Sequence, residues 1–224
     1  MQFLDIHTHH EGQAAGTISI LSISLTGDSQ ELFPMVIERA IASGGGISVG
    51  LHPWFATLTH LERDYQLLEL EAKRPEVKMI GECGLDRLKG ESLHNQLMIL
   101  RKQLSLAEEL RKPVILHCVR CFDELMGLKK EMNMSVPMII HGFNKNEALG
   151  RQLLSKGFYL SFGKAILNPN SGAAVLLKEA DIFFLETDDA DCGIAEIYEV
   201  AANLKKCTVA ELKALIFANW EKII

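Results

Sequence analysis

Gln2-Phe3-Leu4-Asp5-Ile6-His7-Thr8-His9 decides how the rest of the chain is read. A short apolar run, Gln2–Ile6, reads as a strand, and two histidines follow its end. Residues two apart on a strand point to the same side, so His7 and His9 share a face. The same figure recurs along the chain. His52 follows Ile47–Leu51, Glu82 follows Val77–Gly81, His117 follows Val114–Leu116, His141 follows Met138–Ile140, and Asp188 closes Leu185-Glu186-Thr187-Asp188 after Ile182–Leu185. With Thr17–Leu25 and Phe158–Phe162 these make eight runs, short and mostly apolar, as expected of strands buried on both faces.

Helix-period segments alternate with the runs. Ser92–Arg111 carries Leu93, Leu97, Leu100, Leu104, Ala107 and Leu110 on one stripe. Ser29–Ala42, Leu61–Lys73, Phe122–Asn133, Asn146–Lys156 and Ser171–Ala180 read as helices, and Ile194–Leu204 and Val209–Trp220 as two more. Pro113 and Pro137 stand at first positions of strands, where proline is tolerated. Strand–helix alternation implies a parallel sheet, and eight units favour a closed α/β barrel of the TIM-type (β/α)8 kind. Residues 1–224 read as one such domain. Only His10–Gly16 separates the first two strands. A parallel crossover needs about a dozen residues, so the first helix is expected to be missing or reduced.

Composition sets outer bounds. The chain has 224 residues, 48% hydrophobic, with a formal net charge of -6. The size suits one globular core, and no apolar run reaches the roughly 18 residues of a membrane span. The charge argues against a dedicated non-specific nucleic-acid binder, though not against a local basic rim. Met1–Asp5 lacks the basic-then-apolar order of a signal peptide. The five cysteines, an odd number, read as free thiols of a cytoplasmic protein.

In a parallel barrel all strand C-termini open on one mouth, where chemistry sits. Imidazole and carboxylate are ligands for zinc, manganese and similar cations. A lone strand-end histidine is more often a satisfied polar residue. Here five of eight histidines end apolar runs, with two carboxylates in equivalent places. That joint placement points to metal binding.

At these residues the chain resembles the TatD family of metal-dependent hydrolases. The resemblance runs from D-x-H-x-H at Asp5–His9 through G-L-H-P at Gly50–Pro53, G-E-C-G-L-D at Gly81–Asp86 and P-V-I-L-H at Pro113–His117. It continues in I-I-H-G-F at Ile139–Phe143 and L-E-T-D at Leu185–Asp188, and ends at Ala218-Asn219-Trp220. It implies a TIM-type barrel, a dinuclear site for divalent Mg, Mn or Zn, and hydrolysis of DNA or a small phosphodiester. Carried over by position, it implies that His7, His9, Glu82 and Asp188 bind one ion and that Glu82, His117 and His141 bind the other, with Glu82 bridging. Two loops depart from the family pattern. The usual arginine two places after the fifth-strand histidine is Val119 here, with Arg120 one place later. Asp189-Ala190-Asp191 replaces the usual small residue and proline after Asp188. The resemblance therefore supports the metal chemistry better than the substrate.

On this reading Asp188 orients the attacking water and accepts its proton, Glu82 bridges, and His52 stands beside the metals and contacts the scissile phosphate. Arg120 and Lys164 hold the neighbouring phosphate, and Arg87, Lys89 and Lys145 complete a basic rim. Scattered lysines are more often plain solvated surface. Cys118-Val119-Arg120-Cys121 fits a redox C-x-x-C less well than two incidental thiols. His10 reads as a loop residue rather than a ligand, His60 and His94 as surface residues, and Gly44-Gly45-Gly46 as a helix stop rather than a phosphate loop. Nothing points to a membrane or an obligate protein partner. Three rivals remain: a phosphoesterase of the polymerase-and-histidinol-phosphatase kind, which lacks its late D-x-H here; an amidohydrolase acting on a small ester or amide, which would often use a bridging carbamylated lysine; and a non-catalytic metal-binding relic.

Overall fold

Eight strands form in a computed structural model that describes residues 1–10, 15–26, 33–42 and 44–224. They are β1 (Phe3–Thr8), β2 (Thr17–Ser24), β3 (Gly46–Gly50), β4 (Val77–Asp86), β5 (Val114–Val119), β6 (Met138–Ile140), β7 (Tyr159–Phe162) and β8 (Phe184–Leu185). Every neighbouring pair is parallel, in the order β1 to β8. The helices are α1 (Phe33–Ala42), α2 (Leu61–Glu71), α3 (Leu93–Leu110), α4 (Phe122–Glu131), α5 (Glu147–Ser155), α6 (Gly172–Glu179), α7 (Ile194–Lys205) and α8 (Val209–Glu221). Among the described residues no helix is long and apolar enough to cross a membrane.

β1 and β2 pair in parallel although only residues 9–16 connect them. Residues 11–14 of that connection lie outside the described residues, as do 29–32 of the helix expected over Ser29–Ala42. α1 ends as expected at the glycine run: Gly44 takes φ 72°, and Gly45 N–H donates to the Ala40 carbonyl at 3.1 Å. Pro113 and Pro137 sit one place before β5 and β6, and their carbonyls accept from Ile80 and Val114.

Most strand boundaries shift from the sequence reading, and β5 runs three residues past Leu116 to Val119, so His117 lies inside it. β1 runs on to Thr8, so His7 lies inside it. β4 continues five residues past Gly81 to Asp86, because Cys83–Asp86 pair with Leu116–Val119 of β5 and bury Cys83 and Leu85 completely. β8 shrinks to Phe184–Leu185: only these pair with β7, and Ile182 is partly exposed.

The seam between β8 and β1 is closed by side chains as much as by backbone. Near the mouth, Asp188 N–H donates to the His7 carbonyl at 2.9 Å and His9 N–H to the Asp188 carbonyl at 3.0 Å. Below that, buried Asp5 accepts from Thr187 twice, from the backbone N–H at 3.0 Å and the hydroxyl at 2.7 Å. Deeper still, the Tyr198 hydroxyl of α7 takes the place of a strand partner. Leu4 N–H donates to it at 3.2 Å, and it donates to the Leu4 carbonyl at 3.0 Å. These backbone groups of the seam thus find partners, as burial demands. These bonds hold the end of β1 against the end of β8, where His7 and Asp188 stand.

Candidate metal centre

Strand direction carries the polar residues to one mouth. His7 lies in β1, Glu82 in β4 and His117 in β5, while His9, His52, His141 and Asp188 follow β1, β3, β6 and β8. His7, His52, Glu82 and His117 are buried, His141 and Asp188 are half-buried, and His9 is exposed. The His7 Nε2–Asp188 Oδ1 distance is 3.6 Å.

Glu82 sits at the centre with its two oxygens facing opposite ways. Oε2 lies 3.4 Å from His7 Nε2 and 3.2 Å from His9 Nε2. Oε1 lies 3.0 Å from His117 Nδ1, 2.9 Å from His141 Nε2 and 3.1 Å from His52 Nε2. Burial disfavours the Glu82 anion, but the imidazoles of His141, His117 and His52 outweigh it and hold the carboxyl well below its usual range. Burial raises the Asp188 carboxyl.

The far nitrogens of these rings sort their roles. His117 presents Nδ1 to Glu82 while its Nε2 lies 3.1 Å from Asp86 Oδ2. A proton on Nε2 satisfies Asp86 and leaves the Nδ1 lone pair aimed inward. His141 turns Nδ1 toward buried Glu186, 3.5 Å away, and Nε2 inward. His52 is the reverse: its Nδ1 accepts the Trp54 backbone N–H at 3.1 Å, so the proton sits on Nε2, the atom facing Glu82. His52 is thereby set up as a hydrogen-bond donor rather than a ligand.

Both ring nitrogens of His7 are fully buried with no hydrogen-bond partner among the described residues. A buried polar group without a partner is costly and calls for an explanation. A cation held with His9, Glu82 and Asp188 supplies one. Ligand atoms of His7, His9 and Asp188 lie within 4.8 Å of one another, as do those of His7, Glu82 and His141. Nitrogen and carboxylate donors in these numbers fit zinc or manganese, with magnesium suited to the carboxylate-rich side.

The basic residues are less well placed than expected. Arg120 is exposed, and its backbone carbonyl accepts from Arg87 Nε at 2.9 Å. It lines neither of the two cavities that border the metal-centre histidines. Arg87 is held by Glu124. Lys164 stands near Asp188 but pairs with Asp189 at 3.1 Å. Lys89 Nζ lies on the Trp54 ring, 3.7 Å from its centroid. Lys145 alone of the group borders a cavity shared with His117, His141 and Asp188. His60 and His94 are exposed, as expected, and so is His10.

Sequence reasoning assigned no role to Asp86, Glu186, Trp54 or Phe55. Asp86 and Glu186 had a faint signal, since each stands an even number of places from Glu82 or Asp188. Their value depends on rings from other strands, which no local pattern reports.

Comparison with known proteins finds similar sequences and a similar fold. The family model described as TatD related DNase matches residues 7–224. The chain is 33% identical over 187 residues to the "3'-5' ssDNA/RNA exonuclease TatD" of Cronobacter turicensis, covering 79% of this chain and 68% of that protein. It is 26% identical over 194 residues to the "Uncharacterized metal-dependent hydrolase YabD" of Bacillus subtilis, covering 79% and 76%. Its fold matches the crystal structure of YJJV, a TatD homologue from Escherichia coli K12, with TM-score 0.80 at 23% identity over 97% of this chain and 95% of that one.

Proposed function

The chain belongs to the TatD related DNase family, and from that premise we propose that it hydrolyses phosphodiester bonds of DNA or RNA with two divalent cations bound at the barrel mouth. The observation that carries this reading is the opposed pair of Glu82 oxygens, one facing His7 and His9, the other His117 and His141. A single carboxylate between two sets of imidazoles is suited to bridging two ions.

We assign His7, His9, Glu82 and Asp188 to one ion, and Glu82, His117 and His141 to the other, drawn from Mg²⁺, Mn²⁺ or Zn²⁺. When bound, such ions lower the pKa of water toward neutrality and neutralise charge on phosphoryl oxygens. The protein's own groups do the rest. Asp188, half-buried and beside His7, orients the attacking water and accepts its proton. His52, protonated on Nε2 by its contact with Trp54, donates a hydrogen bond to Glu82 or to the substrate phosphate when that displaces it. Lys145 and Lys164, which each line a cavity shared with Asp188, hold the flanking phosphate. Arg120 serves only if its side chain reaches over the rim. We read residues 1–224 as one hydrolase domain and, from their free thiols, as cytoplasmic.

The test is turnover of a single-stranded oligodeoxynucleotide, an oligoribonucleotide and a small phosphodiester, with Mg²⁺, Mn²⁺ and Zn²⁺ supplied separately. Metal-dependent cleavage of an oligonucleotide supports the reading. Cleavage that survives complete chelation, or metal content with no phosphodiester cleavage, overturns it.

A further inference from the structure

A cavity of about 350 Å³ opens from the metal centre, within the roughly 300–1,000 Å³ common for small-ligand sites. Glu82, His117, His141 and Asp188 lie at its inner end. Its outer walls are Trp54 and Phe55, from the loop after β3, and Ser22 and Ser24 of β2. The two aromatic residues are 39% and 58% exposed, although apolar side chains of this size are normally covered. The mechanism above uses the Trp54 backbone N–H but neither aromatic ring.

Both rings stand on a fixed frame. Phe55 and Ala56 N–H groups donate to the His52 carbonyl, each at 3.0 Å. Trp54 Nε1–H donates to Asp86 Oδ2 at 2.6 Å, and Lys89 covers one face of its ring. Among the described residues no cation lies on the Phe55 ring, which is 58% exposed. Its ring centroid lies 5.4 Å from that of His52, the imidazole that reaches Glu82. A flat group lying on Phe55 is therefore next to whatever phosphate occupies the metal centre.

We propose that Phe55, braced by Trp54, is the stacking platform for the nucleobase beside the scissile phosphate. This rests on the phosphodiesterase reading of the same site. A phosphate satisfies only the polar inner end of the cavity, and the aromatic side of the outer wall, Trp54 and Phe55, matches a flat ring attached to it. Every base has such a ring, so stacking selects for nucleic acid without selecting for sequence. Within a duplex both faces of a base are occupied by its neighbours. A base can lie on Phe55 only after leaving the stack, at an energetic cost that a single strand avoids.

Steady-state kinetics of the metal-loaded enzyme test this with three substrates of equal length: a single-stranded oligothymidylate, a strand of tetrahydrofuran abasic sites, and a blunt duplex. Wild type should favour the base-bearing single strand over both others. Phe55→Ala should raise KM for that strand roughly 5- to 150-fold, the worth of one stacked base, with kcat much less affected. Its preference over the abasic strand should collapse, and Phe55→Trp should restore it. A merely structural role for Phe55 would not produce this split or this rescue. If Phe55→Ala keeps the wild-type preference, or if wild type cleaves abasic and base-bearing strands alike, the platform is overturned while the phosphodiesterase reading stands. If none of the three is cleaved with any metal, both fall.

Discussion

Nε2 of His117 lies 3.1 Å from Oδ2 of Asp86, while Nδ1 of the same ring lies 3.0 Å from Oε1 of Glu82. The same Asp86 oxygen accepts from Trp54 Nε1, and Oδ1 accepts from the backbone N–H groups of Leu88 and Lys89. One carboxylate thus sets the protonated nitrogen of a histidine that faces Glu82 and anchors an aromatic wall of the cavity. Burial works against its ionisation, but hydrogen bonds from Trp54, Leu88 and His117 keep the group below its usual range. Asp86→Asn keeps the size but removes the charge that favours a proton on Nε2. It should weaken metal binding about 10- to 100-fold, the usual worth of such outer partners. Titration with Mn²⁺ or Zn²⁺ checks this, and unchanged affinity would deny Asp86 the role.

Glu82→Ala should lower metal occupancy at both positions, because each Glu82 oxygen faces a different set of imidazoles. His141→Ala should empty mainly one. Elemental analysis of the purified variants gives the answer directly. Two full equivalents of metal in Glu82→Ala would contradict bridging.

Asp188→Asn preserves shape and removes the proton acceptor. Its kcat should fall by a factor of about 10²–10⁴. Because Asp188 is also an assigned ligand, metal content must be measured in the same sample. Near wild-type turnover in a fully metallated variant would remove Asp188 as the base.

Tyr198→Phe tests the seam. It leaves the Leu4 N–H and carbonyl buried beneath α7 without their hydroxyl partner. Stranding buried backbone groups costs about 1–3 kcal/mol, which for a chain of this size lowers Tm by roughly 2–12 °C. Calorimetry at fixed metal concentration reads it. An unchanged Tm would show that β1 and β8 do not depend on this hydroxyl.

The chain's local pattern carries where the strand-end residues gather, and little of what surrounds them. His7, His9, Glu82, His117, His141 and Asp188 were legible because strand period and strand direction place strand-end residues at one mouth whatever the loops do. Arg120 shows the limit. It stands three places after His117, yet a left-handed φ of 57° and its exposure leave the side chain away from the two cavities that border the metal-centre histidines. Loop residues follow their own backbone, and spacing along the chain does not carry their direction.

The sequence by itself determined the parallel barrel and the donor atoms at its mouth, since both follow from near-neighbour alternation of apolar and polar residues. Only the tertiary structure decided which nitrogen of each histidine faces inward, that Tyr198 completes the seam between β1 and β8, and that Phe55 lies exposed beside the candidate metal centre. The reason is range. Those features rest on contacts between residues far apart in the chain, such as Leu4 with Tyr198 and Asp86 with His117. Such contacts exist only once the barrel has closed and brought its strands into register.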